Sequence, residues 1–358
     1  MTITQPAMEL DAPATLDFDH ERVLIATGAR SGLVMSVAVH STKLGQALGG
    51  CRVWHYDTWT DALADCLRLS AAMTLKNAVA GLNRGGGKSV VYLPHGTVLS
   101  DVGKRDVMLD LGDAVESLGG VYKTAEDVGT SAELMAVVAE RTAYVCGLPT
   151  ERGGIGEPAD ATAAGVHAGI LATLAAVVGS RDVAGHRIVI AGLGQVGGRL
   201  ARTLAAAGAR LTVSDVDRAK RRLSDELGAA WVEPESAHTV EAELFVPCGV
   251  GGALTPRVIS ELRVRGVVGA ANNQLASREC AALLAERGIL WAPDFVVNAG
   301  GVVYLALASE PGADLAAIAA RVDAIGDTVA AVYQEASANG TTTLVAAERR
   351  ARARLDAV

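Results

Sequence analysis

The stretch that most restricts the fold is Ile188-Val-Ile-Ala-Gly192-Leu193-Gly194-Gln195-Val196-Gly197, an apolar run that ends in G-x-G-x-x-G and passes at once into the helix-forming GRLARTLAAAG. Strand, tight turn and helix in that order make the first unit of a dinucleotide-binding fold. Gly192 lets the chain turn, Gly194 lets backbone approach a pyrophosphate, and Gly197 lets the helix lie close to its strand, while the helix N-terminus attracts the anion. The next apolar run, ARLTVSD, ends at Asp215, where a carboxylate is expected to meet the ribose hydroxyls. Asp215 would repel a 2′-phosphate, so NAD is expected over NADP, with Arg218 nearby keeping NADP open.

The 358 residues exceed one ordinary core and point to two domains. From about residue 151 the runs HRIVIAG, ARLTVSD, ELFVPCG, GVVGAAN and GILWAPD alternate with helices or loops, which predicts a parallel, doubly wound sheet over 151–312. Within 1–150, RVLIATG, LVMSVAVH and CRVWHY read as strands. A helix follows, with Thr58 and Asp61 as a capping box and an apolar stripe running to about Lys76, then strands at Lys88 to Leu93 and Gly120 to Lys123. The composition shift near Glu151-Arg-Gly-Gly-Ile-Gly-Glu-Pro marks the boundary, and 313–358 reads as two helices packing back on the first domain. The fold class expected is α/β, two domains separated by a cleft.

A net charge of -8, without any Lys/Arg block interleaved with aromatics, argues against a nucleic-acid partner. Five cysteines, an odd number with no C-x-x-C pair, fit reduced thiols in the cytoplasm, and none has metal-ligand company, so no metal is expected. The start lacks the basic and apolar regions of a secretory signal. Residues 161–179 come nearest to a membrane span, but they are rich in Ala and Gly and contain His167; a buried crossover helix is expected there and no membrane partner.

The run GLNRGGGKSV at 81–90 invites a phosphate-loop reading, which its spacing rejects. A Walker loop needs a glycine five positions before the one that precedes its lysine, and residue 82 is Leu82. The surrounding order is also inverted, with a helix before the glycines and a strand after them. Lys88 therefore needs another task, and Lys76 in MTLKNA and Asp127 in TAEDVG stand in similarly unusual contexts.

Eight segments carry a resemblance: LGGCR at 48–52, MTLKNAV at 73–79, GGGKSV at 85–90, TAEDVGT at 124–130, GLGQVG at 192–197, PCGVGG at 247–252, GAANNQL at 269–275 and NAGGV at 298–302. In these the chain resembles the glutamate, leucine, phenylalanine and valine dehydrogenases. The resemblance implies oxidative deamination of an L-amino acid by NAD and water to a 2-oxo acid, ammonia and NADH. It assigns the substrate carboxylate to Lys76, acid/base chemistry to Lys88, and assistance in proton transfer to Asp127. It places Gly49 and Gly50 where main chain approaches substrate, and Asn272 between substrate and cofactor. Thr162, Cys248, Gly249, Ala270 and Arg52 join the glycine-rich turn as cofactor contacts. It also makes the first domain the substrate and oligomerisation domain, the second the NAD domain, and the assembly a homo-oligomer.

A lysine anchor for a carboxylate is expected to cost little, since an ammonium is charged at any ordinary pH. An acid/base lysine is harder, because its free pKa near 10.4 must fall by roughly 2 to 3 units. Neighbouring Lys76 and a dry, closed cleft push Lys88 that way, whereas Asp127 pushes against it.

Where the acidic-substrate branch of the family holds a side-chain carboxylate, this chain has Leu48 and Leu305, which implies an apolar pocket. Val302 and Leu305 share a helix face by spacing, and Met73 and Ala125 are further candidate walls. Ala125 suits leucine as well as phenylalanine dehydrogenases, and Leu305 suits the phenylalanine branch. The expected substrate is L-phenylalanine, with branched-chain amino acids as the alternative. A phosphate-loop NTPase and a non-catalytic NAD-binding regulator are the competing classes.

Overall fold

The computed structural model describes residues 19–358 except Gly153 and Pro311. The expectation about a secretory signal therefore lies outside the described residues, as does part of the boundary segment.

The first half builds a mixed sheet from β1 (Arg22–Thr27), β2 (Val34–Ser41) and β3 (Ala47–Tyr56), then α1 (Trp59–Val79), β4 (Gly85–Pro94), α2 (Asp101–Glu116), β5 (Tyr122–Glu126) and α3 (Ala132–Val138). Its strand order is β1-β2-β4-β3-β5, with β3 parallel to both β4 and β5. Alternate residues of a strand share a face. Thus Val37, Cys51, Val53 and Val91 meet Val107, Met108 and Leu111 of α2 and Met135 of α3. The opposite face receives α1, whose Ala62 and Cys66 pack on Ala38 and Val90. The capping box of Thr58 and Asp61 starts this helix as expected.

The glycine run fits between these layers. A Cβ on Gly86 would lie 2.1 Å from Thr74 Oγ1 and 2.2 Å from Thr74 N of α1, and one on Gly87 would lie 2.5 Å from the Tyr122 ring. Side chains there would push the helix off the strand, so these glycines serve close packing.

The second half contains α4 (Ala159–Val178), β6 (Arg187–Ala191), α5 (Gln195–Ala206), β7 (Arg210–Ser214), α6 (Arg221–Leu227), β8 (Ala230–Trp231), β9 (Leu244–Pro247), α7 (Pro256–Glu261), β10 (Gly266–Val267), α8 (Cys280–Glu286), β11 (Leu290–Trp291), α9 (Asp294–Val297) and α10 (Gly300–Ala308). The six strands are parallel in the order β8-β7-β6-β9-β10-β11. This is the doubly wound arrangement expected, and its direction reverses between β6 and β9, where such folds bind ligands. Both faces are covered: Ile188 and Ile190 pack toward α4 and α5, Val189 and Phe245 toward Ile259 of α7 and Leu284 of α8.

By length and composition α4 could cross a membrane. Here it runs between α5, α10 and α12 (Ile325–Asn339), with Val166, Ile170 and Leu174 fully buried. The expected pair of helices after residue 313 is three: α11 (Leu315–Asp323), α12 and α13 (Thr343–Asp356). Ala324 ends α11 and begins α12 while keeping helical dihedrals. The chain bends there beside Gly326, where a Cβ would sit 2.9 Å from Ala168 O of α4. Helix α13 lies on α1, and Arg354 Nη1 donates to Ala78 O at 3.2 Å and Leu82 O at 2.6 Å, satisfying one carbonyl in the last turn of that helix and one just beyond it.

Gly86→Ala should lower thermal stability by about 1–3 kcal/mol, the usual cost of overpacking. Gly194→Ala, where a Cβ meets nothing within 4 Å, should leave the melting temperature nearly unchanged. Scanning calorimetry on the two variants checks the pair.

Candidate active site

The face of the first sheet turned to α1 carries Leu48, Gly50 and Arg52 from β3, Lys88 from β4, and Ala125 with Asp127 at the end of β5. Gly50 pairs with Ala125, and Cys51 with Ser89, so the three strands present these residues in adjacent rows. Across this face α1 turns Leu69, Ala72, Met73 and Lys76, spaced three and four apart, toward the same space. The facing wall comes from Pro158, Thr162 of α4, Val196 of α5, Ala270, Asn272, Asn273, Asp294 and Phe295 of α9, Asn298, and Gly301, Val302 and Leu305 of α10. The cleft between these walls has a volume of about 320 Å³.

All the residues expected at the substrate therefore border one space: Lys76, Lys88 and Asp127, Gly49 and Gly50, Leu48, Met73, Ala125, Asn272, Val302 and Leu305. The two glycines are already required by the chain itself. A Cβ on Gly49 would stand 1.8 Å from Gly87 O, and one on Gly50 would stand 2.7 Å from Asp127 Cβ.

Lys88 Nζ lies 2.7 Å from Asp127 Oδ2, with 6% of its side chain exposed. Arg52 Nε donates to the same oxygen at 3.1 Å, and its Nη1 donates to Asp65 Oδ2 at 2.9 Å. Arg52, expected at the cofactor, is thus held by two carboxylates at the floor of the first sheet. Burial alone would raise the Asp127 carboxyl, but the charges of Lys88 and Arg52 outweigh it and hold it at about 2. The turn is further fixed by the Asp127 N–H, which donates to Thr130 Oγ1 at 2.8 Å.

Lys76 Nζ donates to Asn298 Oδ1 at 2.7 Å, and Asn298 Nδ2 donates to Asn272 Oδ1 at 2.8 Å and Ala270 O at 3.0 Å. Burial pushes the Lys76 ammonium down to about 8, with Asp294 offsetting part of that fall and Lys88 adding to it. The expectation that this group stays charged at any ordinary pH is thereby corrected, because the cleft withdraws the water that would stabilise it. Burial also raises the facing Asp294 carboxyl, against the attraction of Lys76. Sequence reading missed Asp294, Phe295 and Asn298 as lining residues. The available signals were Asn298 opening the NAGGV segment and an acid placed directly after β11, at the carboxyl edge of a parallel sheet.

The glycine-rich turn lies at the reversal point. Gly192 has φ 105°, and a Cβ there would meet Gly249 N at 2.7 Å; one on Gly197 would meet Gly192 O at 2.0 Å and Cys248 Cβ at 3.0 Å. These residues press the turn onto the end of β9. Gly194 is different, since its φ is -68° and open space surrounds its Cα. The fold does not need a glycine at that position, whereas an approaching pyrophosphate does. No side chain caps α5, so its first N–H groups remain available to an anion. Asp215 accepts the Leu193 N–H at 2.6 Å and the Asp217 N–H at 2.8 Å, which ties the second strand to the turn. Leu193, Gly194 and Gln195 open on a separate outer groove, whereas Val196, Thr162, Ala270 and Asn272 reach the substrate cavity. The residues present suit a dinucleotide lying from the turn to that cavity.

Residues 22–144 match the model of the Glu/Leu/Phe/Val dehydrogenase dimerisation domain, and residues 214–352 match that of Glutamate/Leucine/Phenylalanine/Valine dehydrogenase. The chain is 38% identical to leucine dehydrogenase of Bacillus cereus over 94% of its length and 91% of the relative's. It is 36% identical to phenylalanine dehydrogenase of Bacillus thermotolerans over 95% of its length and 89% of the relative's. The crystal structure of L-tryptophan dehydrogenase from Nostoc punctiforme superposes with a TM-score of 0.80 at 34% identity, covering 95% of this chain and 96% of that one. Two matched models, near-full-length relatives and a shared two-domain architecture show that the chain belongs to the Glu/Leu/Phe/Val dehydrogenase family of amino acid dehydrogenases, whose members use NAD(H).

Proposed function

We propose that this chain catalyses the reversible, NAD-dependent oxidative deamination of an apolar L-amino acid, first L-phenylalanine, to its 2-oxo acid, ammonia and NADH. The observation that carries the reading is the convergence of Lys76, Lys88 and Asp127 in one cavity whose other walls at Leu48, Ala125, Val302 and Leu305 are apolar. A carboxylate substrate side chain would lose its hydration there without gaining a partner. Phe295 and Met73 offer an aromatic ring and a polarisable thioether to a phenyl group. A branched-chain substrate is the second reading, favoured by the leucine dehydrogenase relative at 38% identity, and a methyl group in such a pocket is worth only about 1–3 kcal/mol.

In this reading Lys76 binds the substrate carboxylate and Asn272 orients the substrate beside it. When bound, NAD supplies the hydride acceptor. Lys88 takes the proton from the water that attacks the imine carbon and returns a proton to the departing amine, and Asp127 balances its charge. The apolar walls and α10 hold Cα in place and exclude water, which favours reaction in a closed cleft. Description of residues 22–144 as a dimerisation domain supports a homo-oligomer, and five free cysteines support a reducing, cytoplasmic setting.

A spectrophotometric screen of the twenty amino acids with NAD and with NADP should give NADH from apolar L-amino acids. NAD binding without turnover of any of them would instead favour the non-catalytic regulator. Lys88→Ala should lower kcat by about 10²–10⁴-fold, the range of a lost general acid/base, while retaining NADH affinity. An apolar carboxylic acid lacking the amine should bind fully below a pH of about 8 and weaken above it, because only charged Lys76 pairs with the anion. Lys76→Met should bind that acid poorly at every pH, as an inhibition series would reveal.

A further inference from the structure

A third cation lies at the floor of the cleft, beside Lys76 and Lys88. Arg52 stands two residues beyond Gly50 on the same face of β3, with 17% of its side chain exposed. Its Nε and Lys88 Nζ meet the same atom, Asp127 Oδ2, at 3.1 and 2.7 Å. Its other end is tethered, since Asp65 Oδ2 accepts from Arg52 Nη1 at 2.9 Å and from Tyr56 Oη at 2.8 Å, and Asp65 Oδ1 accepts from Arg68 Nη2 at 2.6 Å. A planar guanidinium anchored at one end and shared at the other fixes a carboxylate in place and takes up part of its charge.

We propose that Arg52 is a positioning residue for the Lys88–Asp127 pair: by sharing the Asp127 oxygen it fixes that carboxylate and keeps it from binding the Lys88 ammonium so tightly that proton transfer to and from substrate stops. The inference rests on the reading of Lys88 as the acid/base.

Other charged groups facing this cluster are Asp65, Arg68 and Lys76 from α1, Glu126 from β5, and Asp294 from α9, which acts through Lys76. Burial pushes the thiols of Cys51 and Cys66 up to about 12 and about 11 and raises the Tyr56 hydroxyl, so these three are neutral at ordinary pH. Among the described residues, Lys88 and Arg52 alone place a cation in contact with the Asp127 carboxylate. Removing Arg52 leaves that carboxylate to Lys88, which favours the charged ammonium.

The test is the pH dependence of kcat/KM for the best apolar amino acid, together with NADH affinity by fluorescence titration, on the full-length enzyme. In Arg52→Gln the lower limb of the profile should move to higher pH by on the order of one unit, with NADH affinity retained. Arg52→Lys should restore part of the shift. Thermal melts establish that each variant is folded, and Arg52→Lys serves if the glutamine variant is not. A limb that stays in place overturns the inference, and weaker NADH binding with an unmoved limb assigns Arg52 to the cofactor instead. Wild-type protein without turnover would remove the functional reading and this inference with it, whereas active wild type with unmoved variants removes the inference alone.

Discussion

The Oδ2 atom of Asp127 accepts from two cations at once, and the cleft depends on that shared contact. Lys76, Lys88 and Arg52 all border one small space. Two unit charges 4 Å apart repel by about 4 kcal/mol at the effective dielectric of a partly buried site, so such a group of cations needs carboxylates interleaved with it. Asp127 takes Lys88 and Arg52, Asp65 takes Arg52 and Arg68, and Asp294 faces Lys76. Removing one member of such a set costs more than the pair gains, because a buried charge is left behind.

That charge arrangement is delivered by backbone spacing. Lys88 reaches Asp127 across β3 because the strand between them carries Gly50 at that level, where a Cβ would strike Asp127. Lys76 approaches from above because α1 lies close enough to β4 that only glycine is accommodated at residue 86. The facing wall is tied in by side chains: Lys76 meets Asn298, and Arg68 Nη1 donates to Asn273 Oδ1 at 3.1 Å. Asn273 has φ 52°, and it adjoins Asn272, so the loop that reaches the substrate space is held in a conformation uncommon for a residue with a side chain.

Much of this was legible in the chain. The doubly wound sheet followed from strand and helix alternation, and the capping box placed the start of α1. The two lysines were recognisable as unusual by context and by resemblance, although nothing in linear order says that residues 76 and 88 share a space. Three things were not legible. The resemblance assigns Arg52 to the cofactor, whereas its link to Asp65 appears only once β3 and α1 are packed together. Asp294 lies far along the chain from the amines, and its approach to Lys76 depends on how the two halves meet. The bend at Ala324 leaves no strong breaker, since helical dihedrals persist there and Gly326 is chosen by contact with α4.

The seating of α13 on α1 bears on how the molecule is made. Arg354 satisfies Ala78 O and Leu82 O, and Ala351 is buried against Ala78 and Leu44 beside the helix that carries Lys76. Domains generally fold as units while a protein is being synthesised. Here a ribosome must release residues 343–356 before that helix receives its last partners, so the outer side of the nascent α1 waits for α13 through the translation of the entire nucleotide-binding half.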